Sequence, residues 1–147
     1  MKKFFVILGV VFLIIIVAFV IFGGITFFNA YKLMPSVQNF ITDFYKQYNN
    51  QSFSYIYNAM SDKKFRDAVT YEDFEKLMNR VYQKVGMQKD QKRGAWRINY
   101  VTDGVYFNIQ YSVSYKNGKS IDTFVLKKYN NSWLLVNYNI NSKDLLK

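Results

Sequence analysis

Thirteen tyrosines, no histidine and no cysteine limit what this 147-residue chain can do chemically. Without histidine or cysteine there is no thiol nucleophile, no Ser–His or Cys–His pair, and no metal site ligated by either residue. Carboxylates and phenols remain. The closest cluster of carboxylates is Glu72, Asp73 and Glu75. An acid/base pair is conceivable there, but the trio follows Thr70 at the start of a helix, where the dipole favours negative charge; that reading is preferred. The strand-borne acid is Asp122, in phase with Phe124 and Leu126. A carboxylate buried in an apolar cone has a raised pKa and could act as a base. The competing and preferred reading is an edge-of-strand charge beside Lys119 or Lys127. Asp122, Tyr82 and Tyr111 form the candidate pocket set, although the tyrosines read first as core and sheet-face residues. Arg66 reads equally as a buried salt-bridge anchor or a surface charge. No catalytic constellation is found, and no metal or cofactor is expected.

The elements that must position these residues change period at Gly86. Before it, apolar residues recur at helical spacing. Val37, Phe40, Ile41, Phe44, Tyr45 and Tyr48 form one stripe of a first soluble helix from about Pro35. Phe53, Ile56, Tyr57 and Met60 form a second helix, and Phe65, Ala68 and Val69 sit in a short turn. Thr70 caps a third helix with Asp73 three residues on, a short-armed capping box. Its stripe is Phe74, Leu77, Met78, Val81, Tyr82 and Val85, and Gly86 closes it as a left-handed cap.

Beyond Gly86 the period is two. Residues 87–93 are polar and basic and read as a loop. Trp96, Ile98 and Tyr100 alternate with Arg97 and Asn99 in a first strand. Asp103-Gly104 and Asn117-Gly118 are hairpin turns. Between them Val105, Phe107, Ile109, Tyr111, Val113 and Tyr115 face inward. Tyr106, Asn108, Gln110 and Ser112 face out, a polar surface with one aromatic that serves as a candidate contact face. A third strand spans about 120–129, Asn130-Asn131-Ser132 turns the chain, and 133–140 is the last strand. Helices followed by strands indicate α+β: three helices packed on a curled four-stranded antiparallel meander. Lys84, Lys89, Lys92, Arg93 and Arg97 form a candidate patch for an anionic lipid or polymer.

The N-terminus carries a different signal. Residues 4–28 hold no charge over twenty-five positions, about 37 Å as a helix. A bilayer core is about 30 Å thick. Lys2 and Lys3 precede this run, which places the N-terminus in the cytoplasm and the rest of the chain outside it. An uncleaved anchor is preferred over a cleaved signal, because the run is long and phenylalanines occupy the would-be cleavage positions. The expected organisation is an anchor at 1–28 with its transmembrane helix at 4–28, a linker at 29–35, an extracytoplasmic domain at 36–142 and a tail at 143–147. Pro35 is expected to end the anchor helix before residue 34. The chain carries +10, of which Lys2 and Lys3 contribute two, leaving +8 outside the cytoplasmic membrane.

The segments FYKQY (44–48), MSDKKFRDAVTYEDFEKLM (60–78), DGVYFNIQYSVSY (103–115) and NNSWLLVNYNI (130–140) together resemble the nuclear transport factor 2-like superfamily, the cystatin-like α+β cone. The likeness is to its small bacterial membrane-anchored or secreted members and covers about residues 35–142. It implies a cone of sheet over helices and no particular activity. Enzymes resembling ketosteroid isomerase, scytalone dehydratase or epoxide hydrolase line that cone with Asp, His, Tyr or Arg. Bitopic inner-membrane subunits of secretion machines share the anchor-plus-domain plan. The expectation is a non-catalytic, single-pass anchored interaction or scaffold domain in an envelope or secretion-type assembly, with a protein partner or a homodimer and no nucleic acid. The alternative is a small-molecule-binding protein, or an isomerase- or hydrolase-like enzyme using the cone cavity.

Overall fold

Helical periodicity before Gly86 and alternation after it produce four helices followed by four strands. The computed structural model describes the backbone of residues 2–146 and the side chains of residues 14–18, 20 and 31–145. The chain forms two compact units, Met1–Pro35 and Ser36–Lys147.

The first helix, α1, spans Lys2–Asn49 with Pro35 inside it. This corrects the expected helix break before residue 34. Proline removes one N–H from the ladder, yet the helix continues through it. Most of the uncharged run at 4–28 lies outside the residues whose side chains are described. Among the described residues no helix is long and apolar enough to cross a membrane. The side chains of Ile14, Ile15, Ile16, Val17 and Val20 are exposed.

In the second unit, Val37, Ile41, Phe44, Tyr45 and Tyr48 of α1 are buried, as their spacing requires. Helix α2 (Phe53–Ala59) buries Phe53, Ile56 and Tyr57. The expected short turn is a helix, α3 (Lys63–Ala68), so four helices replace the expected three. Its cap is Asp62, whose carboxylate accepts from the Lys64 N–H at 2.7 Å and the Tyr129 hydroxyl at 2.8 Å. Helix α4 (Tyr71–Val85) starts at Thr70, which accepts from the Asp73 N–H. Glu72 pairs with Lys76 at 2.8 Å and Glu75 accepts from Tyr71 at 2.6 Å, so the acidic trio is occupied at the helix start. Gly86 ends α4 at φ 76 and ψ −158. That is not the left-handed helical cap expected but an extended positive-φ conformation essentially reserved for glycine.

The sheet has strand order β1-β2-β3-β4, all antiparallel: β1 (Gln88–Val101), β2 (Gly104–Tyr115), β3 (Gly118–Tyr129) and β4 (Ser132–Asn141). Residues 88–93, expected as a loop, belong to β1. This stretch lacks alternation because most of it is exposed and its register is broken twice, between Gln88 and Asp90 and between Arg93 and Trp96. An edge strand that is bulged and rich in lysine and arginine resists pairing with another chain. The other edge is partly occupied: the Leu135 N–H donates to the Met60 carbonyl and the Asp62 N–H to the Leu135 carbonyl, both at 2.8 Å. The expected tail holds a 3-10 turn, Lys143–Leu146, in which Asp144 accepts from the Lys119 N–H at 3.2 Å.

Candidate functional site

Asp122 is completely buried, which corrects its preferred reading as an edge charge. It sits on the inner face of β3, opposite Tyr111 of β2 and Ile140 of β4. One carboxylate oxygen accepts from the hydroxyls of Tyr45, Tyr115 and Tyr138, each at 2.8 Å. The other accepts from the Ser120 hydroxyl. The donors come from α1, β2, β3 and β4. A buried charge is tolerated where it is richly hydrogen-bonded, and here the donors are neutral hydroxyls.

The same arrangement sets the phenols. Burial first, then the Asp122 carboxylate, pushes Tyr45 and Tyr115 well above the ordinary phenol value. Tyr138 is raised by burial and by Tyr115 and Asp122. Tyr48 is raised by burial, and its hydroxyl donates to the Gly86 carbonyl at 3.0 Å. Around them the inner face is filled with rings. Phe44 and Phe124 meet edge to face at 5.0 Å, and Phe124 lies 4.9 Å from Tyr138.

Of the candidate pocket residues, Asp122 and Tyr111 are thus cross-strand neighbours. Tyr82 is not beside them: it is half-buried and packs 5.5 Å from Tyr48, which in turn packs 5.8 Å from Tyr115. Tyr111 is buried and its hydroxyl finds no partner among the described residues. Burial raises its pKa against the pull of Arg93. A general base must reach the proton it removes. Asp122 is fully buried with both oxygens occupied, so the arrangement is that of a structural acceptor. Tyr45, Tyr115, Tyr138 and Ser120 were the residues missed; the available signal was a phenol, rather than a phenyl ring, at three stripe positions.

The apolar opening lies elsewhere. A cleft of about 530 Å³ lies between α3, α4 and β4, walled by Phe65, Val69, Phe74, Leu77, Val136 and Tyr138. Leu77 belongs to the stripe expected in the core, yet it is 48% exposed here. Val136 is the extra residue of a bulge, since Leu135 pairs with Leu126 and Asn137 with Val125. Tyr138 presents its ring to this cleft while its hydroxyl holds Asp122.

The remaining candidates are spread over the surface. Tyr106 donates to Asp103 at 2.7 Å and accepts from Lys64 at 2.8 Å, with Lys64 and Lys127 over its ring. Asn108, Gln110 and Ser112 lie further along the outer face. Lys89, Lys92, Arg93 and Arg97 are exposed on β1, and Lys84 on the last turn of α4. Arg66 is half-buried and donates to the Ser61 carbonyl, and it makes no ion pair among the described residues.

No protein-family model matches the chain, and no curated protein matches it by sequence. Solved structures resemble it. Bd1075 from Bdellovibrio bacteriovorus aligns over 76% of this chain at 12% identity with a TM-score of 0.50; the match spans only 41% of Bd1075. Aln2 from a Streptomyces species aligns over 78% of this chain and 93% of its own at 12% identity and TM-score 0.48. A scytalone dehydratase candidate from Novosphingobium aromaticivorans aligns over 75% and 83% at 9% identity and TM-score 0.47. The likeness is one of fold, helices packed on an antiparallel sheet.

Two results are expected from the aromatic interior. Tyr111→Phe removes a hydroxyl that has no partner and should leave stability unchanged or raise it by up to about 1 kcal/mol. Tyr45→Phe removes a donor to a buried carboxylate and should cost about 1.5–3 kcal/mol. Urea unfolding of both variants checks this, and equal losses would contradict the assigned network. The second result concerns alkaline pH. Unfolded phenols titrate near about 10. Above that pH the unfolded chain loses protons that Tyr45, Tyr48, Tyr115 and Tyr138 retain when folded, so stability falls as pH rises. Absorbance at 295 nm should show these phenols ionising only as near-UV circular dichroism collapses. Full titration near 10 with the fold intact would refute their burial.

Proposed function

We propose that the domain is a binding module that takes a small, largely apolar molecule into the cleft between α3, α4 and β4. The observation that carries this reading is Leu77: a residue on the core-facing stripe of α4 stays 48% exposed because it faces an open cleft. The volume of about 530 Å³ falls within the range of small-molecule sites, and the walls are apolar with Asn137 and the Lys64 side chain beside them. Asp122 supports the wall through Tyr138. The fold hosts many activities, so the reading rests on the cleft itself.

We place this module outside the cytoplasm, tethered by residues 4–28. Support comes from twenty-five uncharged residues behind Lys2 and Lys3, and from the exposed aliphatic side chains at 14–17 and 20. The full-length protein should stay in the membrane fraction through carbonate washing and leave it only with detergent. Release by carbonate would remove the tether from the proposal.

For the cleft, native mass spectrometry of the full-length protein from nanodiscs should find a retained molecule of a few hundred daltons, about the size such pockets accommodate. Leu77→Arg places a charge at the cleft and should abolish the adduct without lowering the melting temperature. An adduct retained equally by this variant would put the ligand elsewhere, and an adduct-free wild type would overturn the reading.

A further inference from the structure

The outer face of the sheet has a chemistry of its own. Strand register brings exposed Asn99 of β1, Gln110 of β2, and Asn139 and Asn141 of β4 to this face, with half-buried Asn108 beside them. Ser112 and Thr123 stand among them: Gln110, Thr123 and Asn139 form one cross-strand row, and Ser112, Ile121 and Asn141 the next. Each amide offers both donors and an acceptor. Among the described residues, none of these five amide side chains is hydrogen-bonded elsewhere.

The face runs into a basic edge. Lys89, Lys92, Arg93 and Arg97 of β1 are exposed, and none makes an ion pair among the described residues. Asp90 is the one acid of β1. Lys92 and Arg97 share the outer face, in register with Ser112 and Asn108, while Arg93 is in register with inner-facing Tyr111; four residues apart along β2 at about 3.3 Å each, the two outer cations stand roughly 13 Å apart, too far for a single small anion. Two hollows bridge edge and face. One, of about 310 Å³, is lined by Arg97, Asn99, Asn108 and Gln110. The other, of about 640 Å³, is lined by Lys92, Ser112, Lys119, Asn141 and Lys143, with Asp90 and Asp144.

We propose that this face and its β1 edge bind an extended polyhydroxylated polyanion, a polymer whose repeats carry both hydroxyls and phosphate. The cations meet the phosphates, with arginine able to hold two oxygens at once. The amides meet the hydroxyls between them. Other occupants fit less well. A membrane surface is usually gripped by cations together with apolar side chains that insert, and Ile121 is the one exposed large hydrophobic in the paired rows between Arg97 and Lys92. Single-stranded nucleic acid needs stacking rings, and the aromatics of this face, Tyr106 and Tyr129, are tied down, Tyr106 by Asp103 and Lys64 and Tyr129 by Asp62, with Lys127 over both rings. This site is separate from the apolar cleft and stands or falls without it.

The test uses the full-length protein in nanodiscs of zwitterionic lipid, with a glycerol-phosphate oligomer of about ten repeats as the probe. Inorganic polyphosphate of equal charge and neutral dextran are the comparisons. The oligomer should bind saturably, and more weakly as salt rises. Lys92→Glu with Arg97→Glu should weaken it by at least about tenfold. A triple variant, Asn108→Ala, Gln110→Ala and Asn139→Ala, keeps every charge and should still weaken it by at least about threefold. Melting temperatures should match the wild type, since the altered side chains stand outside the core. Equal binding of polyphosphate, with the triple variant unaffected, would reduce the site to charge alone and overturn the proposal. Binding to anionic vesicles without binding to the oligomer would also overturn it, in favour of a lipid surface.

Discussion

The fold turns on a charge in the wrong place. Asp122 is fully buried, and no ion pair to it occurs among the described residues. Removing a carboxylate from water costs several kcal/mol. Four hydroxyls offset that cost, and hydrogen bonds to a charged group are worth about 1.5–3 kcal/mol each. The constraint reaches back along the chain. Tyr45 of α1, Tyr115 of β2 and Tyr138 of β4 converge on one oxygen. Each must supply a ring to the core and a hydroxyl to the acid, which phenylalanine could not do. The aromatic filling of the inner face and the satisfaction of its charge are one requirement.

That requirement also decides where ligands have room. With Phe44, Phe124, Tyr115 and Tyr138 packed around the carboxylate, the centre of the inner face is occupied by the protein itself. Space remains at the rim, where α3 and α4 leave β4 uncovered, and on the outer face. The rim is apolar because its walls are core residues reaching the surface. The outer face is polar because the strands alternate. Strand β1 is basic along its edge, and bulged there as well.

Much of this architecture could be read from spacing. The stripe Val37, Phe40, Ile41, Phe44, Tyr45, Tyr48 and the alternation from Val105 to Tyr115 each determine one buried face, and both are buried where expected except at half-buried Phe40 and Val105. Elements without such a face were not legible. Residues 88–93 pair through their backbone on an exposed edge, so no alternation marks them. Helix α3 is only six residues long and is held by the Asp62 cap, too short to display a period. Pro35 suggested a break that the helix does not make. Asp122 was misplaced for a deeper reason. Its partners lie 77, 16, 7 and 2 residues away, and a charge is read as exposed until its donors are known. Leu77 was misplaced in the opposite direction, because periodicity assigns a residue to a face without saying whether anything covers that face.

Helix α1 and strand β4 meet although they are nearly the full domain apart. The Trp133 indole donates to the Ser36 hydroxyl at 2.8 Å, and the Phe44 ring lies 5.0 Å from Tyr138. A ribosome makes α1 first and β4 last. Through most of translation the stripe of α1 has no sheet strand to cover its far end, and Asp122, once made, lacks its Tyr138 donor. The hairpins can form in sequence as each strand appears, since every strand pairs only with its neighbour in the chain. The charge is fully enclosed only when β4 has been made. Until then the nascent domain exposes an aromatic helix face together with an unsheltered carboxylate, and its maturation is governed by the arrival of its final ten-residue strand.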